Sequence, residues 1–309
     1  MAQTELLTPE AIAAIEGLEL RARTIADSVL TGRHRSVRRG FSIEFAEHRE
    51  YAPGDDVRYV DWKIFGKRDR LYVKQFEDET RLRAWCAVDV TRSMRYRSAG
   101  AAMSKLNYAA TMAAALSWLV LRQRDEAGLA LFEEQDVQVV PARTQADQLT
   151  PLCRALTDVI GDETLVTQPV EHADAEEETS WEGLARLADR LPQRGMVFIL
   201  TDGFGDPDRL TAAIHGLHLC QHDVRLVQIV DPAEEDFPFE EAALFQGMET
   251  GEEQFVTPKS LADAYRSEFR SFVELLSRGC QQMHCRYHLV RTDERCDTAL
   301  LRMIGEPGR

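Results

Sequence analysis

Residues 84–94 read Ala84-Trp85-Cys86-Ala87-Val88-Asp89-Val90-Thr91-Arg92-Ser93-Met94, a short apolar run that ends in an acid and continues into two hydroxyls at alternate positions. An apolar run this short, bounded by polar signals, predicts a buried strand of the kind found in parallel sheets covered on both faces. Asp89 would close that strand at its carboxyl end, where open α/β sheets place their ligand sites. One carboxylate and the hydroxyls of Thr91 and Ser93 give a set of hard oxygen donors on one tight loop. Such donors suit Mg²⁺, which favours octahedral oxygen ligation and keeps several waters. The same residues also fit a plainer reading, a turn that satisfies its own backbone.

Downstream, helical and strand patterns alternate. Residues 105–122 are apolar and Ala-rich, which predicts a helix packed on a sheet. Residues 127–132 and 137–140 read as strands joined by Glu133-Glu134-Gln135-Asp136, and 147–160 as a helix. The acidic stretch 161–179 reads as a surface loop and 181–191 as a helix. A second apolar run, 196–200, ends in Thr201-Asp202-Gly203, and a third, 224–230, ends in Asp231-Pro232, with a helix at 209–221 between them. Residues 244–248 and 254–257 suggest a hairpin excursion near 236–258. A long amphipathic helix at 260–283, a strand at 286–290 and a helix at 298–304 follow. The pattern predicts an α/β fold with a doubly wound, mostly parallel sheet and helices on both faces. In such a sheet the strands ending in Asp89 and Asp202 are neighbours at the topological switch, which brings the two acids together. Asp231, before a proline, reads as a turn acid.

The segment before the central strand differs. Thr8 as N-cap, Pro9 at the first helical position and Ile12, Ile15, Leu18 and Ile25 at helical spacing predict a helix over residues 9–30, with Gly32 as its stop. Residues 31–40, TGRHRSVRRG, read as an Arg-rich loop or arm. Between 41 and 74, charged residues interleave with aromatic ones. Pro53-Gly54 fits a type II turn, Asp61 could cap a short helix at 62–65, and 71–76 alternates like a strand. Residues 21–83 carry 15 Lys and Arg against 11 Asp and Glu, whereas residues 84–309 carry 22 against 37. We therefore expect a basic α+β N-terminal segment, residues 1–83, packed on a main domain of residues 84–309.

The 309 residues carry a net charge of −15, which argues against general binding to nucleic acid or anionic membrane. Six cysteines, none in C-x-x-C spacing, match reduced, cytoplasmic usage with no disulfide framework. The N-terminus lacks the early basic residues of a signal peptide. No apolar run approaches the ~18 residues of a membrane span. There is no G-x-x-x-x-G-K-[ST], hence no P-loop of the chain's own.

The spacing Asp89-x-Thr91-x-Ser93 resembles the metal-ion-dependent adhesion site of von Willebrand factor A domains, Asp-x-Ser-x-Ser, with Thr in place of the first Ser. Thr201-Asp202-Gly203 resembles the loop that supplies that site's second carboxylate. The two matches fall at strand ends in the required order. The resemblance implies one more Thr from a loop before a helix, for which Thr179 is the candidate; an ordinary helix cap is the alternative. A wider set of residues, Gly32, Ser36, Gly40, Glu44-Phe45, Arg49, Tyr51, Pro53-Gly54-Asp55-Asp56, Arg58, Asp61-Trp62, Leu71, Val73-Lys74 and Glu77, resembles the bacterial domain-of-unknown-function 58 family over roughly residues 20–300. The resemblance implies a von Willebrand A-like domain. It also implies association with a MoxR-type AAA+ ATPase, in the assembly or maturation of an unidentified client protein.

The expected function is therefore a cytosolic protein-binding adaptor with an Mg²⁺ site at Asp89, Thr91, Ser93, Thr179 and Asp202. A metal-dependent hydrolase using Asp89 and Asp202, with Asp55 or Asp56, is the alternative, and would need a general base in reach. Arg49, Arg58, Asp55, Asp56 and Asp61 also fit an ion-pair network. His215, His218 and His222 share a helix face without an evident fourth ligand, which argues against a zinc site. Arg33, Arg35, Arg38 and Arg39 suit an acidic protein surface better than nucleic acid, given the overall charge.

Overall fold

The structure, a computed structural model, describes residues 8–36, 48–50, 72–74, 82–161, 181–192, 194–248, 251 and 253–305. Helix α1 spans Pro9–Ser36, and two short strands, β1 (His48–Glu50) and β2 (Tyr72–Lys74), pair antiparallel, with Arg49 opposite Val73. The apolar run at 84–88 lies in β3 (Arg83–Asp89), followed by a 3-10 turn over Ser93–Arg95 and helix α2 (Lys105–Arg122). Strands β4 (Glu126–Phe132) and β5 (Val137–Arg143) form a hairpin; α3 (Leu149–Gly161), α4 (Glu182–Ala185) and α5 (Leu187–Arg190) follow. Then come β6 (Gly195–Thr201), α6 (Pro207–Leu219), β7 (His222–Val230) and α7 (Pro232–Asp236). A separate hairpin, β8 (Ala243–Gln246) with β9 (Glu253–Val256), precedes α8 (Pro258–Gln282), β10 (Arg286–Arg291) and α9 (Cys296–Gly305).

Six strands form one sheet in the order β10-β7-β6-β3-β4-β5, parallel throughout except for the edge strand β5. The fold is thus the α/β, mostly parallel arrangement expected from the sequence. Alternate residues of each strand face opposite ways, and the sheet separates two cores. Cys86, Val88, Leu129, Leu131, Phe198 and Val227 meet α1, α2, α3 and α9 on one side. Trp85, Ala87, Ala130, Val197, Ile199 and Leu226 meet α4, α5, α6 and α8 on the other. Strands buried on both faces must be apolar nearly throughout, which is why β3, β4 and β6 appear as apolar runs in the sequence, while β7 also buries Arg225 and Gln228.

Close approach between layers depends on small residues. Ala109, Ala110, Ala113, Ala114 and Ala115 are buried along α2, which lets it lie close to the sheet while α1 covers it. Gly128 lies opposite Trp85, and a Cβ there would come within 2.5 Å of the indole ring. A Cβ on Gly183 would meet the Glu133 carbonyl at 2.1 Å, so only glycine lets α4 start against the β4–β5 turn.

The chain divides into two compact units, 1–33 with 82–309, and 34–81. The division expected at residue 83 placed the first helix with the N-terminal segment. Instead Ile15, Leu18, Ala22, Ala26 and Val29 of α1 are buried in the main unit's core. The helix also runs through Gly32 to Ser36 rather than stopping there. A single glycine costs a helix only about 1 kcal/mol, and the Arg and His that follow do not break it. The expected helix at 181–191 is two short ones, α4 and α5. The type II turn at Pro53-Gly54 and the helix at 62–65 lie outside the described residues, as do Asp55, Asp56, Arg58 and Asp61.

Candidate functional site

The carboxyl edge of β3 and β6 carries the acids. The two strands are parallel neighbours, with Val88 opposite Leu200, so Asp89 and Asp202 leave the sheet side by side. Asp89 is 2 % exposed and Asp202 1 %. Thr91 donates its hydroxyl to Asp89 Oδ1 at 2.6 Å and its backbone N–H to the same oxygen at 3.0 Å. The Thr91 and Ser93 hydroxyl oxygens are 3.2 Å apart. Thr201, the last residue of β6, donates its hydroxyl to Asp89 Oδ2 at 2.6 Å. Three of the expected oxygen donors, Asp89, Thr91 and Ser93, therefore form one cluster, and Asp202 lies beside it. Thr179 lies outside the described residues.

Burial and the charge of Asp202 push the Asp89 carboxyl up to about 7, against the opposing pull of hydrogen bonds from Thr201 and Thr91. Asp202 is compensated differently. Lys105, 1 % exposed in the first turn of α2, places Nζ 2.9 Å from Asp202 Oδ2 and also bonds Glu234 Oε1. The ammonium lies 5.4 Å from the Phe204 ring centre and 5.8 Å from that of Tyr96. Burial lowers the lysine's pKa, but Asp202 and Glu234 outweigh it, so the group is held above its ordinary value and stays charged. Glu234 in turn accepts the Asp231 N–H, completing a capping box in which Asp231 receives the Ala233 N–H. Asp231 also accepts the Ser98 N–H at 2.9 Å, tying the loop after β3 to the end of β7. It is a cap and tie rather than a ligand, in keeping with its place before a proline.

Lys105 and Glu234 were not among the residues singled out from sequence, and Thr201 was read only as part of the Thr201-Asp202-Gly203 loop, not as a partner of Asp89. One signal pointed to Lys105: a lysine in the first turn of a buried helix faces the positive end of the helix dipole and needs acids nearby.

The donors present fit a hard cation. Thr91 spends its proton on Asp89, which leaves its oxygen to act as an acceptor, as a hydroxyl ligand must. Among the described residues no three His, Cys, Asp or Glu side chains are grouped to hold a metal ion, so an ion here would depend on the Thr91 and Ser93 hydroxyls. A cavity of about 250 Å³ opens beside Thr91, between Val90 and Arg92 on one side and residues 133–136 on the other. His215 is exposed on α6 and His218 half-buried, while His222 is buried at the start of β7. Burial lowers the pKa of both His218 and His222.

Fold and site together define a class: an α/β protein with a buried oxygen cluster on the loops at the carboxyl edge of a mostly parallel sheet. The family follows from the whole sequence. The model of the family described as protein of unknown function DUF58 matches residues 47–274, and the chain belongs to that family. The uncharacterized protein Rv1480 of Mycobacterium tuberculosis is 28% identical over 294 residues, covering 91% of this chain and 85% of that protein. The uncharacterized protein Mb1516 of Mycobacterium bovis matches equally. Similar solved structures include an aerotolerance-related membrane protein from Bacteroides fragilis, with TM-score 0.42, 16% identity, and 72% of this chain and 96% of that one covered. BatB from Bacteroides thetaiotaomicron gives TM-score 0.40 and 14% identity over 72% of this chain and 97% of its own. The SpRpn10 VWA domain gives TM-score 0.36 and 9% identity over 72% and 95%. Among the described residues no helix is long and apolar enough to cross a membrane.

Proposed function

We propose that this protein is a cytoplasmic protein-binding adaptor that holds Mg²⁺ at Asp89, Thr91 and Ser93, with Asp202 and Thr179 alongside. It would work with a MoxR-type AAA+ ATPase on a client protein, in assembly or maturation of a complex. The observation that carries the reading is the convergence of Asp89, Thr91 and Ser93, with Asp202 beside them, at the edge where α/β sheets take their ligands. A bound divalent ion supplies an open position for an acidic side chain of the partner. Asp89 orients the Thr91 hydroxyl, and Thr91 also lines a cavity. Lys105 is paired with two acids and stays protonated, so it offers no nucleophile. Affinity capture with the full chain from its native cell, with Mg²⁺ and nucleotide present, should recover an AAA+ ATPase, and Asp89→Ala should lose it. Repeated failure with the ATPase expressed would refute the partnership.

A second reading is a metal-dependent hydrolase, favoured by the burial of Asp89 beside Asp202. A phosphatase and esterase screen with Mg²⁺ and Mn²⁺ distinguishes the two. Turnover that needs the metal and is lost in Asp89→Ala would replace the adaptor reading.

A further inference from the structure

Lys105 is an unusual residue to find where it is. It sits in the first turn of α2, 1 % exposed, at the helix end where a positive charge is least welcome. A buried lysine is held only by paired acids, and here they come from two other loops: Asp202 after β6 and Glu234 in α7 after β7. Phe204 and Tyr96 present their rings to the same ammonium. The pairing fixes three loops to one another and spends the charge of Asp202 on a cation that belongs to the protein. Two strand-end carboxylates that would otherwise both face a divalent ion are thus reduced to one, Asp89.

We infer that Lys105 sets the metal affinity of the cluster: by holding Asp202 in an ion pair, it confines a divalent ion to Asp89, Thr91 and Ser93 and keeps its binding weak. The inference rests on the metal-binding reading above. A weakly held ion depends on a further oxygen ligand, so loading of the site and capture of an acidic partner side chain reinforce each other. Lys105 is on this view a positioning residue, acting through Asp202 rather than touching the ion.

The test is isothermal titration of the full chain with MgCl₂ and with MnCl₂, comparing wild type, Lys105→Met, Lys105→Arg and Asp89→Asn. Lys105→Met should bind at least tenfold more tightly, whereas Lys105→Arg, which keeps the charge, should stay near wild type. A merely structural lysine predicts the opposite sign, since a loosened site binds more weakly. Should Lys105→Met fail to fold by circular dichroism, Lys105→Met with Glu234→Gln removes a charge of each sign and is titrated in its place. Unchanged or weaker binding in the lysine variant, with Asp89→Asn still abolishing wild-type binding, overturns this inference and leaves the metal-binding reading standing. Binding by the lysine variant alone, with none by wild type, overturns both, since the wild-type chain then holds no ion for Lys105 to weaken. No binding by any variant overturns both.

Discussion

Replacing Gly128 by Ala tests the packing that carries β3, and with it Asp89. The added Cβ would lie 2.5 Å from Trp85 Cε3 and Cζ3 and 3.0 Å from Cδ2, about an ångström short of ordinary contact. Trp85 is 2 % exposed and packed within the core beneath α4, α5 and α6, so the ring has no free direction to move. Overpacking of this kind costs about 1–3 kcal/mol. The loss of unfolded-chain entropy on going from Gly to Ala returns about 0.5–1 kcal/mol. The net expectation is a loss of roughly 1–2 kcal/mol, which at ~2–4 °C per kcal/mol for a chain of this size lowers the melting temperature by roughly 2–8 °C. Urea melts followed by far-UV circular dichroism measure it. The cause is isolated by a cycle with Trp85→Leu, in which the double variant should be more stable than the sum of single losses by about 1 kcal/mol or more. An unchanged or raised midpoint in Gly128→Ala, or strict additivity in the cycle, would refute the proposed stacking of the indole over β4.

Three further outcomes are expected. In EDTA, the raised pKa of Asp89 means that the native state holds a proton which the unfolded chain, at the ordinary 3.8, has already released. Its contribution is fully present below about pH 4 and is lost as pH rises through about 7, so the difference between wild-type and Asp89→Asn stability profiles should slope across that window; parallel profiles would show that Asp89 is not perturbed. Millimolar Mg²⁺ should raise the wild-type melting temperature, by about 2.7 kcal/mol of stability at a hundredfold excess over Kd, and leave Asp89→Asn unmoved. Asp231→Ala removes the α7 cap and strands the Ser98 N–H, at a cost of about 2 kcal/mol or more in chemical denaturation; a loss below about 0.5 kcal/mol would contradict the tie between the two loops.

The sheet was legible because of its own burial. Strands covered on both faces must be apolar, so β3, β6 and β7 stand out as runs, and each ends where the first acid, or a hydroxyl and then an acid, appears. The pairing of Asp89 with Asp202 followed from topology alone. What remained hidden depends on contacts between distant residues. Lys105 lies 97 residues from Asp202 and 129 from Glu234, and no local pattern links them. Thr201 read as part of a Thr-Asp-Gly loop, yet its hydroxyl points back to the neighbouring strand, a matter of register rather than composition. The fate of α1 was obscured by the basic segment that follows it. Its Ile15, Leu18 and Ala22 show only that one face is apolar, not which surface that face will cover.

The place of α1 in the main core bears on how the chain is made. This helix is synthesised before its partners, which are scattered along the chain that follows. Arg122 at the end of α2 pairs with Asp27, and Asp297 in α9, 269 residues further along the chain, accepts the Ser28 hydroxyl. At about 5–20 residues per second, synthesis separates Ser28 from Asp297 by roughly 15–50 s. During that interval the apolar stripe of α1 lacks the α9 residues that share its core in the finished fold.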